Sequence, residues 1–376
     1  MQSRSQPQTL VLIGGGHSHA IVLRMWSLHL LPEVRLKLLN DTEKTPYSGM
    51  LPGHVAGLYT YDETHINLPP LAQQAQAEFY PDQALGLDLK HKQILCLNRP
   101  PLTFNKVSLD IGSTPATITV PGAKDYAVPA KPVSGFLKHW YQLLGNVEAS
   151  PQQPRTLAIV GGGAGGVELA LNMQQRLQAS SDRVAIHLFQ RETELLRDKG
   201  QWVREHLATL LRQRGIQLHL GEAVSEVLPD KLICESGFTL ATDLTFWVTQ
   251  ASAPPWIRDS GLATDEQGFI LVNDYLQSIS HPFVFAAGDI ATMVNHPRPK
   301  AGVFAVRQGK PLFQNLQRII LGKALKPYHP QQNYLSLLGT GDESAIASWG
   351  NWGCHSPLLW RWKDRIDRKF MAQFPD

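Results

Sequence analysis

Cysteine is scarce in this chain of 376 residues: there are three, Cys96, Cys234 and Cys354, far apart and in no CxxC pair. That count excludes a disulfide scaffold and fits a reducing compartment. Charge of one sign is also lacking. A net charge of +3 is too mild to argue for a nucleic-acid partner. No apolar run approaches the roughly 20 residues that a membrane-spanning helix needs. The polar stretch from Met1 to Thr9 lacks the pattern of a secretory signal. The expectation is a cytoplasmic protein, soluble or at most peripheral on a membrane surface. Apolar residues make up 43% and charged residues 18%, enough to bury sizeable cores in two to three domains.

What is present is glycine, placed with purpose. Thr9-Leu-Val-Leu-Ile13 reads as a buried parallel strand, followed by Gly14-Gly-Gly-His-Ser-His-Ala20 and a helical run. Gly14 allows a tight turn, and Gly16 lets the main chain approach a pyrophosphate at the positive end of the helix. His19 stands where the third glycine of such a loop normally serves helix–strand packing. His17 and His19 either meet the pyrophosphate or point outward from the first helical turn. Alone, this imperfect GxGxxG is weak.

It recurs in complete form. The strand Arg155–Val160 leads into Gly161-Gly-Gly-Ala-Gly-Gly166, with Gly161, Gly163 and Gly166 all in place, and a further strand, Val184–Phe189, follows. Two such units imply two dinucleotides and electron transfer between them. A third element, His281-Pro-Phe-Val-Phe-Ala-Ala-Gly288-Asp289, is a short apolar strand ending in Gly-Asp. There Asp289 can accept a hydrogen bond from a flavin ribityl hydroxyl, with Gly288 giving the backbone room.

These three elements resemble the pyridine nucleotide-disulfide oxidoreductase family over nearly the whole chain. Tyr47-Ser-Gly-Met-Leu-Pro-Gly53 and Ala301–Gly309 are similar to its type II NADH dehydrogenase branch. With Trp360-Arg-Trp-Lys-Asp364 they resemble a subgroup often fused ahead of a selenide, water dikinase, so any selenium connection rests on that resemblance alone. The resemblance implies an α/β fold of two Rossmann-like dinucleotide-binding domains with a small C-terminal α+β region. An FAD domain would comprise residues 1–120 and 245–325, an NAD(P) domain residues 121–244, and a C-terminal region residues 326–376.

In the C-terminal region, Tyr334–Leu338 and Ser344–Trp349 suggest a small sheet around Gly339-Thr-Gly-Asp342. Leu359, Trp362, Ile366, Phe370 and Phe374 fall on one helical face among basic residues. That helix either caps its own domain, packs across a homodimer, or lies on a membrane surface near a lipid-soluble quinone.

The cofactor supplies the redox chemistry, so no metal site is expected and the scattered histidines read as core or surface residues. Asn40 and Asp41, after the second strand, are candidates for the FAD ribose. The Tyr47–Gly53 segment stands where disulfide reductases of the family carry their redox cysteines. It offers only backbone and apolar surface at Gly49 and Met50. Glu168 is a candidate near the nicotinamide, or else a helix-terminal acid. Ala301, Ala305 and Gln308 either admit the flavin ring, with Gln308 bonding its edge, or pack helices closely. Lys300 and Arg307 can stabilise an anionic reduced flavin. Gln190 and Arg191 end the second strand of the later unit, where Arg191 either meets a 2′-phosphate, points into solvent, or pairs with Glu192 or Glu194. The expected function is NAD(P)H dehydrogenation through FAD to a quinone or similar acceptor. A sulfide:quinone-type reductase and a regulatory flavoprotein are the alternatives.

Overall fold

Both apolar runs that precede a glycine loop become the central strand of a five-stranded parallel sheet. The computed structural model describes residues 7–115, 120–249 and 251–374; residues 1–6 of the polar N-terminus and Asp376 lie outside them. The first sheet runs, in spatial order, Val284–Ala286, Lys106–Leu109, Gln8–Ile13, Val34–Asn40, Glu78–Pro81. The second runs Ala127–Pro129, Leu244–Trp247, Arg155–Val160, Val184–Gln190, Gln217–Leu220. Each central strand is covered on both faces, which is why it reads as a continuous apolar run. Leu10, Val11 and Leu12 in one, and Leu157, Ala158 and Ile159 in the other, expose no surface. The fold is α/β with two Rossmann-like units and a small C-terminal α+β region.

The boundary at 244–245 falls inside a strand, because Leu244–Trp247 pairs with Leu157–Val160 in the second sheet. The chain therefore crosses back after Trp247. There Thr114–Pro115 and Ala251–Ser252 pair antiparallel, so the outgoing and returning connections run side by side.

The C-terminal sheet has a third strand that the sequence reading missed: Ser336–Gly339, Ala345–Trp349 and Trp352–Ser356 form an antiparallel meander. The helix Pro357–Met371 follows, its first turn capped by the Ser356 hydroxyl, which accepts from the Leu358 amide at 3.1 Å. Its buried face takes only the C-terminal end of the apolar stripe, Phe370 and Phe374. Trp360, Lys363, Asp367 and Phe370 are buried, whereas Trp362 is 49% and Ile366 43% exposed. The reason is polar: Lys363 donates to Asp367 at 2.6 Å and to the Gly49 carbonyl, and Asp367 also accepts from the Tyr47 hydroxyl at 3.1 Å. A buried ion pair with each partner further hydrogen-bonded tolerates the loss of water that an unpaired charge would not.

Candidate functional site

The first glycine loop closes around a residue that the sequence reading did not single out. Asp110 follows the strand Lys106–Leu109, next to the central strand of the first sheet. Its carbonyl accepts from the Gly16 amide at 3.1 Å, and its carboxylate accepts from the His19 amide at 3.0 Å. A carboxyl at the start of the helix His17–Leu28 acts as its cap, since Gly16 offers no side chain. Gly14 turns at φ +91°, and a Cβ there would lie 2.4 Å from the Asp110 carbonyl oxygen; one on Gly16 would strike the Asp110 carboxyl. Burial raises the Asp110 carboxyl to about 7, against the His19 amide bond, with the charge of Asp289 adding to the rise. The signal in the sequence was a lone acid closing an apolar strand.

His19 does not point outward from the helix. It is fully buried. Its Nδ1 donates to the Gly14 carbonyl at 2.7 Å, and its Nε2 accepts from the Ser108 hydroxyl at 2.8 Å. Burial lowers its pKa to about 4, against the Gly14 bond, so the ring is neutral and ties the loop to the strand behind it. His17 is half-buried at the mouth of the loop, with Nε2 3.3 Å from the Pro46 carbonyl and its ring edge-on to Tyr47.

Asn40 and Gln190 have the same task in the two units. Asn40 Oδ1 accepts from the Gly15 amide at 2.8 Å, and Gln190 Oε1 accepts from the Gly162 amide at 2.9 Å. Each strand-end amide thus holds the glycine loop beside it. Asn40 also donates to Thr42, so both ends of its side chain are engaged, while Asp41 is exposed.

The strand Val284–Ala286 lies beside Lys106–Leu109 and delivers Gly288 and Asp289 to the first loop. A Cβ on Gly288 would lie 2.4 Å from Asp110 Oδ1. Asp289 Oδ2 accepts from Lys131 at 2.7 Å and from the Ser113 hydroxyl at 3.1 Å. Burial would raise this carboxyl, but the Lys131 ammonium and the Ser113 hydroxyl hold it below its ordinary value. Gln308 is buried and its Oε1 accepts from the Gly288 amide at 2.7 Å, fixing that turn from the helix Gly302–Ile320. Ala305 serves close helix packing: its carbonyl accepts from the Ser18 hydroxyl at 2.7 Å. Lys300 lines a cavity with Asp289 and Gln308 but donates to the Ala291 carbonyl at 2.6 Å and to Thr292 at 2.9 Å. Burial lowers its pKa to about 8. Arg307 is exposed.

The C-terminal helix packs on the Tyr47–Gly53 loop, and the C-terminal sheet reaches the second unit at Gly339. Met50 is buried, Tyr47 stacks on Phe370 at 4.5 Å, and Gly49 is held by Lys363. Glu168, in the first turns of the helix Ala164–Gln178, accepts from the Gly339 amide at 2.8 Å. Burial raises it to about 7, against Lys363 and the Gly339 bond. Lys363 and Asp367 escaped the sequence reading, although opposite charges at i and i+4 were the visible signal.

The second loop is an open cradle. The helix Ala164–Gln178 begins at Gly163 with no side-chain cap and no acid in its first turn. A Cβ on Gly163 would find no heavy atom within 4 Å, while one on Gly166 would lie 1.8 Å from the Gly161 carbonyl oxygen. Uncapped amides at a helix N-terminus fit a pyrophosphate.

The family model for pyridine nucleotide-disulphide oxidoreductases matches residues 8–309. The chain belongs to this family. It is an FAD- and NAD(P)H-dependent oxidoreductase. It is 24% identical over 336 residues to the NADH dehydrogenase-like protein YutJ of Bacillus subtilis, covering 88% of this chain and 89% of that protein. To the demethylphylloquinone reductase NdbB of Synechocystis it is 24% identical over 364 residues, covering 92% and 87%. In fold it is similar to the NDH2 of Plasmodium falciparum solved with NADH, with a TM-score of 0.77 at 14% identity, covering 98% of each chain. The sulfide:quinone oxidoreductase of Aquifex aeolicus gives 0.79 at 17% identity, covering 98% of this chain and 92% of that one.

Proposed function

We propose that the protein takes a hydride from NAD(P)H at the second glycine loop and passes electrons through FAD to a quinone or similar organic acceptor. FAD, when bound, supplies the hydride acceptance and the onward electron transfer. The observation that carries this reading is the cysteine-free Tyr47–Gly53 loop, sealed on one side by the C-terminal helix. The three thiols stand in three different sheets: Cys96 in Gln93–Cys96, Cys234 in Lys231–Cys234 and Cys354 in Trp352–Ser356. Burial also pushes the Cys234 thiol up to about 12, leaving it a poor nucleophile. A cleft bordered by Met50, His65, Ile66, Met371 and Phe374 opens beside that loop and offers an acceptor a partly apolar approach. Gly14, Gly16, His17 and Asp289 serve the FAD side of this reading. Gly161, Gly163, Gln190 and Arg191 serve the nicotinamide nucleotide, with Glu168 near the ring.

The test is anaerobic stopped-flow reduction of the yellow protein by NADH and NADPH, followed by steady-state turnover with a soluble quinone. It is run on the parent and on a variant with all three cysteines changed to Ser. Rapid flavin bleaching and turnover within severalfold in the variant are expected. Collapse of turnover with FAD retained would favour a thiol- or sulfide-handling enzyme. Flavin that NAD(P)H cannot reduce would point to a regulatory flavoprotein.

No helix among the described residues is long and apolar enough to cross a membrane. The outward stripe of the C-terminal helix, Leu358, Trp362 and Ile366 between Arg361 and Arg365, supports the further reading that it rests on an anionic lipid surface.

A further inference from the structure

Away from both loops, three side chains that no part of the redox chemistry uses converge on one point. Asp274 lies in the turn after the strand Ile270–Val272, and His296 follows the strand Ala291–Met293. His329 belongs to the connector between the helix Gly302–Ile320 and the C-terminal sheet. Their ligand atoms all lie within 4.8 Å of one another. His296 Nε2 stands 3.2 Å from His329 Nδ1 and 3.8 Å from Asp274 Oδ1. The site is empty.

We propose that Asp274, His296 and His329 form a site for a borderline divalent transition metal, with Zn2+ as its reference ion. Geometry and donor chemistry agree. A tetrahedral ion about 2.0–2.1 Å from its ligand atoms holds neighbouring donors about 3.3 Å apart, which the two separations bracket. Two imidazoles and one carboxylate form a donor set suited to such ions, whereas Ca2+ and Mg2+ take oxygen ligands. Without an ion, two ring nitrogens face each other across 3.2 Å with room for a single bridging proton, so one imidazole gains a partner only through its neighbour. The outer layer is also in place. Asn295 Nδ2 donates to both Asp274 oxygens, at 3.2 and 3.3 Å, and orients the carboxylate. The Tyr328 amide donates to the Asp274 carbonyl at 2.7 Å, fixing His329's segment against the turn. Arg298 reinforces this by donating to the carbonyls of Gln331 at 3.0 Å and Pro330 at 3.3 Å.

An ion here cross-links three segments distant in sequence and pins the connector onto the first unit. His296 and Arg298 also line the cavity that holds Asp289 and Gln308, so the clamp closes one edge of that cavity. Three protein ligands leave the remaining position to water.

The experiment uses untagged full-length protein with FAD bound, stripped with a chelator and titrated calorimetrically with Zn2+. Co2+ is added in parallel, and its visible ligand-field bands report imidazole coordination. About one Zn2+ per chain is expected, with affinity falling about tenfold or more in His296→Ala. His329→Asn, at an exposed position, provides a variant whose folding is not in question. Zn2+ should raise the Tm of the parent and leave that of His329→Asn unchanged, with FAD content equal in both. Absence of saturable binding overturns the site, and so does equal affinity in parent and His329→Asn.

Discussion

Gly163 and Gly166 stand three residues apart in one loop and answer to different constraints. Gly163 has an extended backbone, φ −76° and ψ −179°, that any residue adopts, with open space where a Cβ would go. Gly163→Val is therefore expected to fold and keep FAD while its side chain fills the pyrophosphate's place. Flavin reduction by NAD(P)H should fall severely in it, and an undiminished stopped-flow rate would show that the nucleotide binds elsewhere. Gly166→Ala, by contrast, should lower the Tm, because its methyl would run into the Gly161 carbonyl. At the next strand end, neither acid is available to Arg191: Glu192 pairs with Arg197 at 2.8 Å, and Glu194 pairs with Arg204. The guanidinium is exposed to solvent, where it can reach a 2′-phosphate, and Gln190 carries no charge to repel one. NADPH should be used at least as well as NADH, and Arg191→Ala should lower kcat/KM for NADPH more than for NADH. A tenfold discrimination corresponds to about 1.4 kcal/mol, within reach of one such contact. A parent that prefers NADH tenfold or more removes the idea.

Among the elements, the C-terminal helix shows where pattern reading stops. Its apolar residues fall on one stripe, yet the structure buries only Phe370 and Phe374 at its C-terminal end, turns Trp362 and Ile366 outward, and buries Lys363 and Asp367. Periodicity weighs each residue alone. It cannot see that Tyr47 and Gly49, more than 300 positions earlier, supply the hydrogen bonds that make a buried ion pair tolerable. The glycine loops were legible because their constraint is local: a turn, a close backbone approach and a helix start within six residues. Asp110, Lys131 and Lys363 were not, because each acquires its partner through the fold. The exposed stripe carries its own prediction. Changing Trp362 and Ile366 together to Asp should abolish co-sedimentation with anionic vesicles, since the helix would lose its apolar contact and gain repelling charge. Turnover with a short-chain, water-soluble quinone should persist. Equal vesicle binding by parent and variant would instead leave the stripe as plain surface.

At the scale of the whole molecule, the two units were readable as units because each repeats the same strand–loop–helix grammar. The point of crossing between them was not, because the strand Leu244–Trp247 has no local mark of which sheet it joins. The stability of the assembled molecule should also depend on pH through groups that only the fold buries. Asp110 is held at about 7, far above an exposed aspartate, chiefly by burial. A carboxyl raised in this way binds more protons in the folded than in the unfolded state. Its favourable share is complete below about pH 4 and disappears as pH rises through 7. Glu168, also raised to about 7 by burial, acts in the same direction. His19, lowered to about 4 by burial, acts in the opposite one: its share is complete above about pH 6.5 and is lost as pH falls through 4. The opposed shares blur the pH profile of the parent, but a difference between two proteins isolates one group. Asp110→Asn keeps an oxygen to accept the His19 amide and cannot ionise. On FAD-free protein, its Tm relative to the parent should therefore climb between pH 5 and pH 8. A difference that stays flat over that range would mean that Asp110 is already charged in the folded chain, and that the start of the first helix faces an anion before any pyrophosphate arrives.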